Sequence, residues 1–237
     1  MLLEVRDVSK SYKSRYGRTI RDVLKNAGLS VLSGEKIAIA GPSGSGKTTL
    51  LNLAGTLDSP DSGEIFFKGQ PLSGMDTLQL AAFRNKEIGF IFQFHHLLPQ
   101  LTLWENILIP ALPGNNGKVV YNRAEELLKE TGLWEIRHQK PGEMSGGECQ
   151  RAAVVRALIN GPSLILADEP TGSLDSENAA MLTSLLIKLS DKENFSMVVV
   201  THSTEIAGRM DKTYHLKDGK LEPGQLNTHL TGNTKSV

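Results

Sequence analysis

One glycine-rich segment of this sequence has the spacing of a phosphate-binding loop. The pattern GxxxxGK[ST] is formed by Gly41, Pro42, Ser43, Gly44, Ser45, Gly46, Lys47 and Thr48. It stands between a short apolar run, residues 36–40, and a helix-like run, residues 48–54, which is the context that the motif requires. The glycines let successive backbone N–H groups converge on phosphate oxygens, and the helix N-terminus adds a partial positive charge. In such a loop Lys47 reaches the β- and γ-phosphates and the Thr48 hydroxyl ligates Mg²⁺. The alternative interpretation of the segment is a flexible Gly/Ser turn.

Two adjacent carboxylates, Asp168 and Glu169, follow the apolar run at residues 164–167. Ligand chemistry in open α/β sheets gathers at the carboxyl ends of the strands. At such a position Asp168 can help to hold Mg²⁺, and Glu169 can orient and deprotonate an attacking water molecule. Taken alone, a strand that ends in Asp-Glu is more often a solvated turn. The presence of a phosphate loop favours the catalytic interpretation.

The segment Ser145-Gly146-Gly147-Glu148 predicts the start of a helix. Ser145 as the N-cap residue and Glu148 three positions later have the pattern of a capping box. Capping does not explain the two glycines, because each costs a helix about 1 kcal/mol relative to alanine. Gly146 and Gly147 leave backbone N–H groups unshielded, which an anion-binding helix terminus requires.

The overall composition is that of an ordinary globular protein. The 26 Lys and Arg residues are balanced by 26 Asp and Glu residues, so the chain lacks the net positive charge that non-specific nucleic-acid binding requires. The single cysteine, Cys149, excludes an intrachain disulfide. No apolar run approaches the ~18 residues of a membrane span, and the N-terminus does not resemble a signal peptide. We expect a cytoplasmic protein that does not bind nucleic acid.

Strand-like and helix-like segments alternate along the chain, which is the α/β pattern. The strand candidates are residues 2–8, 36–40, 64–68, 88–92, 164–167 and 197–200. Continuous Val/Ile/Leu runs such as the last two are typical of a parallel sheet that is covered on both faces. We expect a parallel core with a helical subdomain inserted at about residues 94–160, and a polar C-terminal tail at residues 222–237.

In their order, these motifs resemble those of the ABC-transporter ATPases. The phosphate loop is followed by Gln93 after a strand, the Ser-Gly-Gly-Glu segment, Asp168-Glu169, Ser173-Leu174-Asp175, and His202 after an apolar strand. The resemblance covers residues 1–221. It implies an α/β fold in which a P-loop NTPase (RecA-like) core carries an N-terminal antiparallel β subdomain and an inserted α-helical subdomain. It also implies hydrolysis of ATP with Mg²⁺.

The resemblance further implies a role for each matched residue around the nucleotide. Tyr12 stacks on adenine, and Thr49 joins the phosphate loop in contacting the nucleotide. Gln93 senses Mg²⁺ and nucleotide, so that Thr48, Gln93 and Asp168 together form the metal site. Lys47, Glu169 and His202 are the implied catalytic residues, with His202 contacting the γ-phosphate and holding Glu169.

A homodimer is implied by the remaining matched residues. Ser145, Gly146, Gly147 and Glu148 correspond to the family signature, which contacts the γ-phosphate bound by the opposite subunit. Asp175 belongs to the loop that lines the dimer seam. The resemblance thus implies two ATP–Mg²⁺ complexes held between two copies of the chain, with integral membrane subunits as further partners.

The segment at residues 92–99 is most similar to the ATPases of lipoprotein-releasing transporters, the LolD type. Macrolide-exporter and cell-division (FtsE-type) ATPases are related, so these functions and a non-transport regulatory role stay open. The similarity implies a peripheral position on the inner membrane. An ATPase that acts on DNA or ribosomes is disfavoured, because the chain has one phosphate loop and no long coiled-coil insertion between Gln93 and Ser145.

The segment at residues 94–104 is the predicted contact with the membrane subunit, because it directly follows Gln93. Leu97, Leu98, Leu101 and Leu103 offer apolar side chains there. An amphipathic helix could bind them in a groove, or the leucines could simply pack the helical subdomain. His95 and His96 are interpreted as part of a surface turn, since no third metal ligand is suitably spaced.

Overall fold

The computed structural model describes residues 1–13, 20–114 and 117–226 of the chain. It divides into two compact units. Unit 1 consists of Met1–Asp76 and Ser196–Val237, and unit 2 consists of Thr77–Phe195. Unit 2 is therefore an insertion in the chain that forms unit 1.

Unit 1 contains a four-stranded antiparallel sheet with the strand order β2-β1-β4-β5. Its strands are β1 (Leu3–Lys13), β2 (Ile20–Val31), β4 (Ser62–Phe67) and β5 (Gln70–Pro71). Leu3 of the central strand pairs with Val31 on one side and with Phe67 on the other. All three side chains are buried, so this face of the sheet supplies a hydrophobic core to the N-terminal part of the unit.

The second group of strands in unit 1 carries the phosphate loop. β3 (Lys36–Ala40) pairs in parallel with β8 (Ser196–Val200) and β9 (Lys212–Lys217), and β10 (Lys220–Leu226) pairs antiparallel with β9. The helices are α1 (Lys47–Ala54) and α7 (Thr204–Gly208). The five residues of β8 are all buried, as the apolar run predicts for a parallel strand.

Unit 2 combines two parallel strands with five helices among its described residues. The strands are β6 (Ile88–Phe92) and β7 (Leu164–Asp168), and the helices are α2 (Thr77–Glu87), α3 (Leu103–Leu108), α4 (Gly117–Glu130), α5 (Gly146–Leu158) and α6 (Ser176–Glu193). Short 3₁₀ turns occupy Ile109–Ala111, Trp134–Ile136 and Pro141–Glu143. Helix α5 packs against α3, α4, α6 and β6, and so forms the centre of this unit.

These elements agree with the fold class predicted from the sequence, a mixed α/β protein with an N-terminal antiparallel sheet and an inserted helical region. The C-terminal boundary differs. Strand β10 continues to Leu226, so residues 222–226 belong to a strand and not to the polar tail expected from residue 222. They pair with β9, which the polar sequence around Pro223 did not suggest. The rest of the expected tail, residues 227–237, lies outside the described residues. In the part of the chain that the structure describes, no helix has the length and apolarity needed to cross a membrane.

Candidate functional site

The predicted phosphate loop follows β3 directly and leads into α1. Two of its glycines have left-handed backbone angles, with φ of 73° at Gly44 and 108° at Gly46. A Cβ atom on Gly46 would lie 2.8 Å from the Val23 Cγ1 atom, so glycine is required there for packing as well. Glycine is the residue that adopts such angles without strain, and the loop can therefore turn its backbone N–H groups inward.

Lys47, the first residue of α1, folds back over this loop. Its Nζ atom donates hydrogen bonds to the carbonyl oxygens of Gly41 at 2.9 Å and Pro42 at 3.0 Å. The side chain is only 6% exposed, which holds the ammonium group at the loop and away from bulk solvent. The Ser45 hydroxyl is also buried, and no described residue hydrogen bonds to it. The described hydrogen bonds of Lys47 thus go to carbonyl oxygens and not to a carboxylate, so the loop keeps its positive charge. The loop also presents a buried hydroxyl group that has no hydrogen-bond partner among the described residues.

Tyr12 lies in β1 of the same unit with 42% of its surface exposed. Its hydroxyl group donates to Asp58 Oδ2 at 2.6 Å and interacts with Thr49. Lys10 donates to the other oxygen of Asp58, at 2.7 Å. Burial alone would raise the pKa of Asp58, but the hydrogen bonds from Lys10 and Tyr12 outweigh it and hold that pKa below its usual value. The aromatic ring is therefore held by its hydroxyl end, and Lys10 Nζ lies over the ring, 5.2 Å from its centroid.

His202 follows β8 in unit 1 and is exposed. Strands β3 and β8 are parallel and in register at Ile39 and Val200, and the Thr201 N–H donates to the Ile39 carbonyl. The phosphate loop and His202 therefore leave neighbouring strands at the same edge, where α/β folds place their ligands.

In unit 2 the predicted metal and base residues leave another pair of neighbouring parallel strands. Phe92 of β6 is the register partner of Asp168 of β7. Gln93 directly follows β6 and Glu169 directly follows β7, so the two side chains start from the same edge of the sheet. The structure thus brings Gln93 close to Asp168 and Glu169 within this unit, although Gln93 and Asp168 are 75 positions apart in the sequence.

Glu169 has a left-handed backbone angle, with φ of 48°. Its carbonyl oxygen accepts a hydrogen bond from the Gly172 N–H at 2.9 Å, which closes a tight turn immediately after β7. A non-glycine residue in this region is uncommon and costs on the order of 1 kcal/mol or more, and such residues concentrate at functional sites.

Gln93 is held by the segment that follows this turn. The Ser173 hydroxyl donates to the Gln93 carbonyl at 3.0 Å. A Cβ atom on Gly172 would come within 2.9 Å of Gln93 Nε2, so glycine at this position leaves room for the glutamine side chain. Within unit 2, the position of Gln93 therefore depends on residues 172 and 173.

The capping box predicted at Ser145 is present at the start of α5. The Glu148 N–H donates to the Ser145 hydroxyl oxygen at 3.3 Å, and the Ser145 N–H donates to Glu148 Oε2 at 2.7 Å. The hydrogen bonds from the Ser145 side chain and backbone lower the pKa of Glu148 below its usual value. Both residues are thus explained by the helix end itself.

The two glycines of this helix end differ from each other. A Cβ atom on Gly147 would lie 2.7 Å from Asn178 Oδ1, so Gly147 is explained by packing within unit 2. A Cβ atom on Gly146 would meet no heavy atom within 4 Å. The packing of the described residues therefore leaves Gly146 unexplained.

Asp175 caps α6 by accepting a hydrogen bond from the Asn178 N–H at 2.8 Å, and this hydrogen bond lowers the pKa of Asp175.

The segment after Gln93 is fixed by Arg156 of α5. The guanidinium group donates to the carbonyl oxygens of His95 and His96, each at 2.7 Å. His95 Nδ1 in turn accepts from the Leu97 N–H, so the two histidines take part in a turn. Burial, followed by the charge of Arg156, lowers the pKa of His95.

The leucines of this segment do not share one environment. Leu97 is 6% exposed and Leu103 is fully buried, so both pack inside unit 2. Leu98 is 41% exposed and Phe94 is 64% exposed. A partner could therefore reach Phe94 and Leu98, whereas Leu97 and Leu103 are core residues and not the docking positions considered from the sequence.

The predicted site residues fall into two groups. Unit 1 carries Tyr12, the loop from Gly41 to Thr48, Thr49 and His202, and unit 2 carries Gln93, the segment 145–148, Asp168, Glu169 and Asp175. Sequence reasoning missed Asp58, which accepts from the Tyr12 hydroxyl group. It also missed Gln150, which donates to the carbonyl of Phe92 at the end of β6, and Arg156, which donates to the carbonyls of His95 and His96. No local pattern in the sequence marked these three residues, and Gln150, for example, is followed directly by the polar Arg151.

Comparison with known proteins agrees with these observations. The family model described as ABC transporter matches residues 24–172. The lipoprotein-releasing system ATP-binding protein LolD 1 of Rhodopirellula baltica is 48% identical over 223 residues, which cover 93% of this chain and 96% of the relative. LolD 1 of Chlorobium luteolum is 47% identical over 228 residues, covering 94% and 97%.

A solved structure is similar over almost the full length. It is a dimeric post-hydrolysis state of an ATP-binding cassette bound to ADP and Pi, with 38% sequence identity and a TM-score of 0.87. The match covers 97% of this chain and 100% of that chain.

Proposed function

The chain belongs to the ABC transporter family and is an ATP hydrolase of that family, and we propose that it drives a transporter that releases lipoproteins from the inner membrane. The observation that carries the ATPase part of the proposal is the register of β6 and β7, in which Gln93 follows Phe92 and Glu169 follows its register partner Asp168. That arrangement provides oxygen ligands and a base where family members hydrolyse ATP. The relatives named as lipoprotein-releasing proteins support the choice of cargo.

The nucleotide-binding part of the proposal rests on unit 1. Lys47 and the backbone N–H groups of the loop bind the phosphates, because the loop is already turned inward by Gly44 and Gly46. The buried Ser45 hydroxyl supplies a further hydrogen-bonding group. Tyr12 stacks on the adenine ring, and the anchored hydroxyl group and the 42% exposure of this residue support that role.

The donor set also fits Mg²⁺. Thr48 offers a hydroxyl oxygen, Gln93 an amide oxygen and Asp168 a carboxylate, which are the hard oxygen ligands that Mg²⁺ prefers. When bound, the ion neutralises charge on the β- and γ-phosphates. Glu169 orients the attacking water and accepts its proton, and His202 donates a hydrogen bond to the γ-phosphate.

The proposed active form is a homodimer, as in the dimeric cassette structure that this chain resembles. The N-terminus of α5 contacts the γ-phosphate bound by the opposite subunit. Gly146 supports this, because open space surrounds the position where its Cβ would be, and a side chain there would occupy the approach of that phosphate. The positive end of the α5 dipole favours the same contact. Asp175 lies in the loop that lines the dimer seam.

An amphipathic helix of an integral membrane subunit is the proposed partner of unit 2. A groove of about 230 Å³ there is lined by Phe90, Phe92, Pro110 and Arg156, among other residues. Arg156 also holds the carbonyl oxygens of His95 and His96, which connects the groove to the segment carrying exposed Phe94 and Leu98. This partner would place the chain at the cytoplasmic face of the inner membrane, as a peripheral subunit.

The partner assignment is tested with charge substitutions on matched leucines. Leu98→Asp should leave folding and basal ATPase activity intact but abolish co-purification with the membrane subunit from detergent extracts, because an exposed apolar contact is lost. Leu97→Asp, one residue away but buried, should instead lower the melting temperature sharply, since it places a charge in the core. If Leu98→Asp co-purifies as well as the parent chain, the partner binds elsewhere.

The cargo is tested in cells depleted of the chain. The proposal predicts that lipoproteins bound for the outer membrane accumulate in the inner-membrane fraction on a density gradient. Re-expression of the parent chain should reverse the accumulation, and re-expression of the Glu169→Gln variant should not. Normal lipoprotein distribution after depletion would contradict lipoprotein release while leaving the ATPase assignment intact.

A further inference from the structure

Gln150 is a buried polar side chain in an otherwise apolar part of α5. It is 1% exposed, and its neighbours Ala152, Ala153, Val154 and Val155 are buried as well. The Nε2 atom donates one hydrogen bond to the Phe92 carbonyl and one to the Pro170 carbonyl, each at 2.8 Å. A side-chain NH₂ group has two hydrogens, so both donors of Gln150 are used.

The two carbonyl groups flank the residues to which the proposed function assigns the metal contact and the base. Phe92 precedes Gln93, and Pro170 follows Glu169. The parallel pairing of β6 and β7 reaches its last register pair at Phe92 and Asp168. Beyond that pair the backbone ladder no longer joins the two strands, and the Gln150 amide connects the segments that follow them.

Gln150 also belongs to the helix that begins with the signature segment. It is one helical turn and a half after Ser145, and α5 is continuous from Gly146 to Leu158. One amide group therefore joins three parts of unit 2: the end of β6, the turn after β7 and the signature helix.

We propose that Gln150 is a positioning residue for ATP hydrolysis, which sets the separation between Gln93 and Glu169 and ties both to the signature helix. The inference rests on the proposed function, since it acts through Gln93 and Glu169. Glutamine suits this task for a chemical reason. Methionine has similar length but no donor, glutamate has no donor in its charged form, and asparagine is one methylene too short to reach both carbonyls.

The test compares Gln150→Met with two reference variants. Ser190→Ala is the matched control, because Ser190 is also buried in unit 2 and donates to a backbone carbonyl, that of Phe195, away from the strand ends. Gln93→Ala reports on the proposed metal contact itself. Each variant is assayed below its melting temperature for the kcat and KM of ATP hydrolysis, for the Mg²⁺ concentration at half-maximal rate, and for the Kd of ATP.

Gln150→Met should lower kcat by about 10- to 100-fold and raise the Mg²⁺ requirement, as the loss of a group that orients a metal site does. The Kd of ATP should change by less than about twofold, because the phosphate loop and Tyr12 are untouched. Adding Gln150→Met to Gln93→Ala should raise the Mg²⁺ requirement no further. Ser190→Ala should leave all of these quantities at parental values even where it lowers the melting temperature.

The possible failures are distinguishable. If Gln93→Ala keeps parental kcat and Mg²⁺ dependence, the role given to Gln93 under the proposed function is wrong. If Gln93→Ala is impaired but Gln150→Met behaves like Ser190→Ala, the positioning role of Gln150 is wrong. Should Gln150→Met not fold, Gln150→Asn keeps the amide and serves in its place, and a folded Gln150→Asn variant with parental kcat overturns the inference.

Discussion

The two units carry their parts of the proposed site in different ways. In the proposed function, unit 1 binds phosphate mainly with backbone groups and one lysine, in a continuous loop shaped by Gly44 and Gly46. Unit 2 contributes side chains from separate segments, and Gln93 and Glu169 acquire their positions from strand register and buried hydrogen bonds. Binding should therefore fail when the unit 1 loop is changed, whereas turnover should fail first when unit 2 is changed.

The largest expected effect is on turnover and concerns Glu169, the proposed base in unit 2. Glu169→Gln should lower kcat by a factor of about 10² or more, because the amide cannot accept the proton of the attacking water. Binding of ATP should persist, measured with a fluorescent nucleotide. Lys47→Ala in unit 1 should instead weaken the binding of ATP, because it removes the positive charge that faces the phosphates.

Glu135→Gln is the matched control for the charge change, since Glu135 is an exposed carboxylate of the same unit. It should retain parental turnover. Parental steady-state ATPase activity in Glu169→Gln would show that another group is the base.

A smaller effect is expected for the proposed adenine contact in unit 1. Tyr12→Ala should raise the Kd of ATP by about 5- to 150-fold, which corresponds to the roughly 1–3 kcal/mol of stacking on an aromatic ring. Tyr12→Phe keeps the ring but loses the hydrogen bond to Asp58, so its Kd should lie between those of the parent and Tyr12→Ala. Equal Kd values for Tyr12→Ala and the parent, by titration calorimetry, would remove Tyr12 from the site.

The two signature glycines should separate packing from partner contact. The added methyl group of Gly146→Ala meets open space, so the substitution should raise the free energy of unfolding by up to about 1 kcal/mol through helix propensity, with a slightly higher melting temperature. It should also lower ATPase activity. Gly147→Ala must displace Asn178 and should lower the melting temperature. Thermal unfolding and ATPase assays on both variants check this contrast. Full activity in Gly146→Ala would mean that no phosphate approaches that helix end.

The smallest expected effect is a pH dependence of stability in unit 2. The hydrogen bond from Lys192 lowers the pKa of Glu130, whose side chain is 12% exposed. A carboxyl group with a lowered pKa in the folded state stabilises the protein above its unfolded pKa, near 4.5, and loses this contribution as the pH falls through the folded value. Glu130→Gln should therefore reduce the loss of stability below about pH 4.5, by no more than about 1 kcal/mol since the lysines are largely exposed. Urea unfolding gives the free energy of unfolding at pH 4 and at pH 7. If the difference between the two values is the same in Glu130→Gln and in the parent chain, the Glu130–Lys192 pair adds nothing to stability.

The same contrast explains what the sequence alone could predict. The phosphate loop is contiguous, and β3, β6, β7 and β8 are short apolar runs, so all of them were visible as patterns. Helix α2 has no buried residue and Leu78 is 82% exposed, so it shows no apolar face from which a period could be recognised. Strand β10 contains Pro223 and polar residues and depends on its pairing with β9.

Residues that act through tertiary contacts were beyond sequence reasoning. Asp58 is one polar residue among several in a turn, and only its hydrogen bond to Tyr12, 46 positions away, indicates its role. Gln150 acts across 58 positions to Phe92 and across 20 positions to Pro170. No local pattern encodes such distances, because the partners are carbonyl groups that every residue possesses.

The central claim is that the phosphate loop of one copy and the signature helix of another act on the same ATP. Light scattering of the Glu169→Gln variant with and without ATP tests it directly, because blocked hydrolysis should let the closed dimer accumulate. If two copies share each ATP, the variant is a monomer without ATP, a dimer with ATP, and a monomer under both conditions when Ser145→Arg is added. A Glu169→Gln variant that stays monomeric with saturating ATP, with the membrane subunit present, would rule out a shared ATP site, as would an ATP-dependent dimer that survives Ser145→Arg.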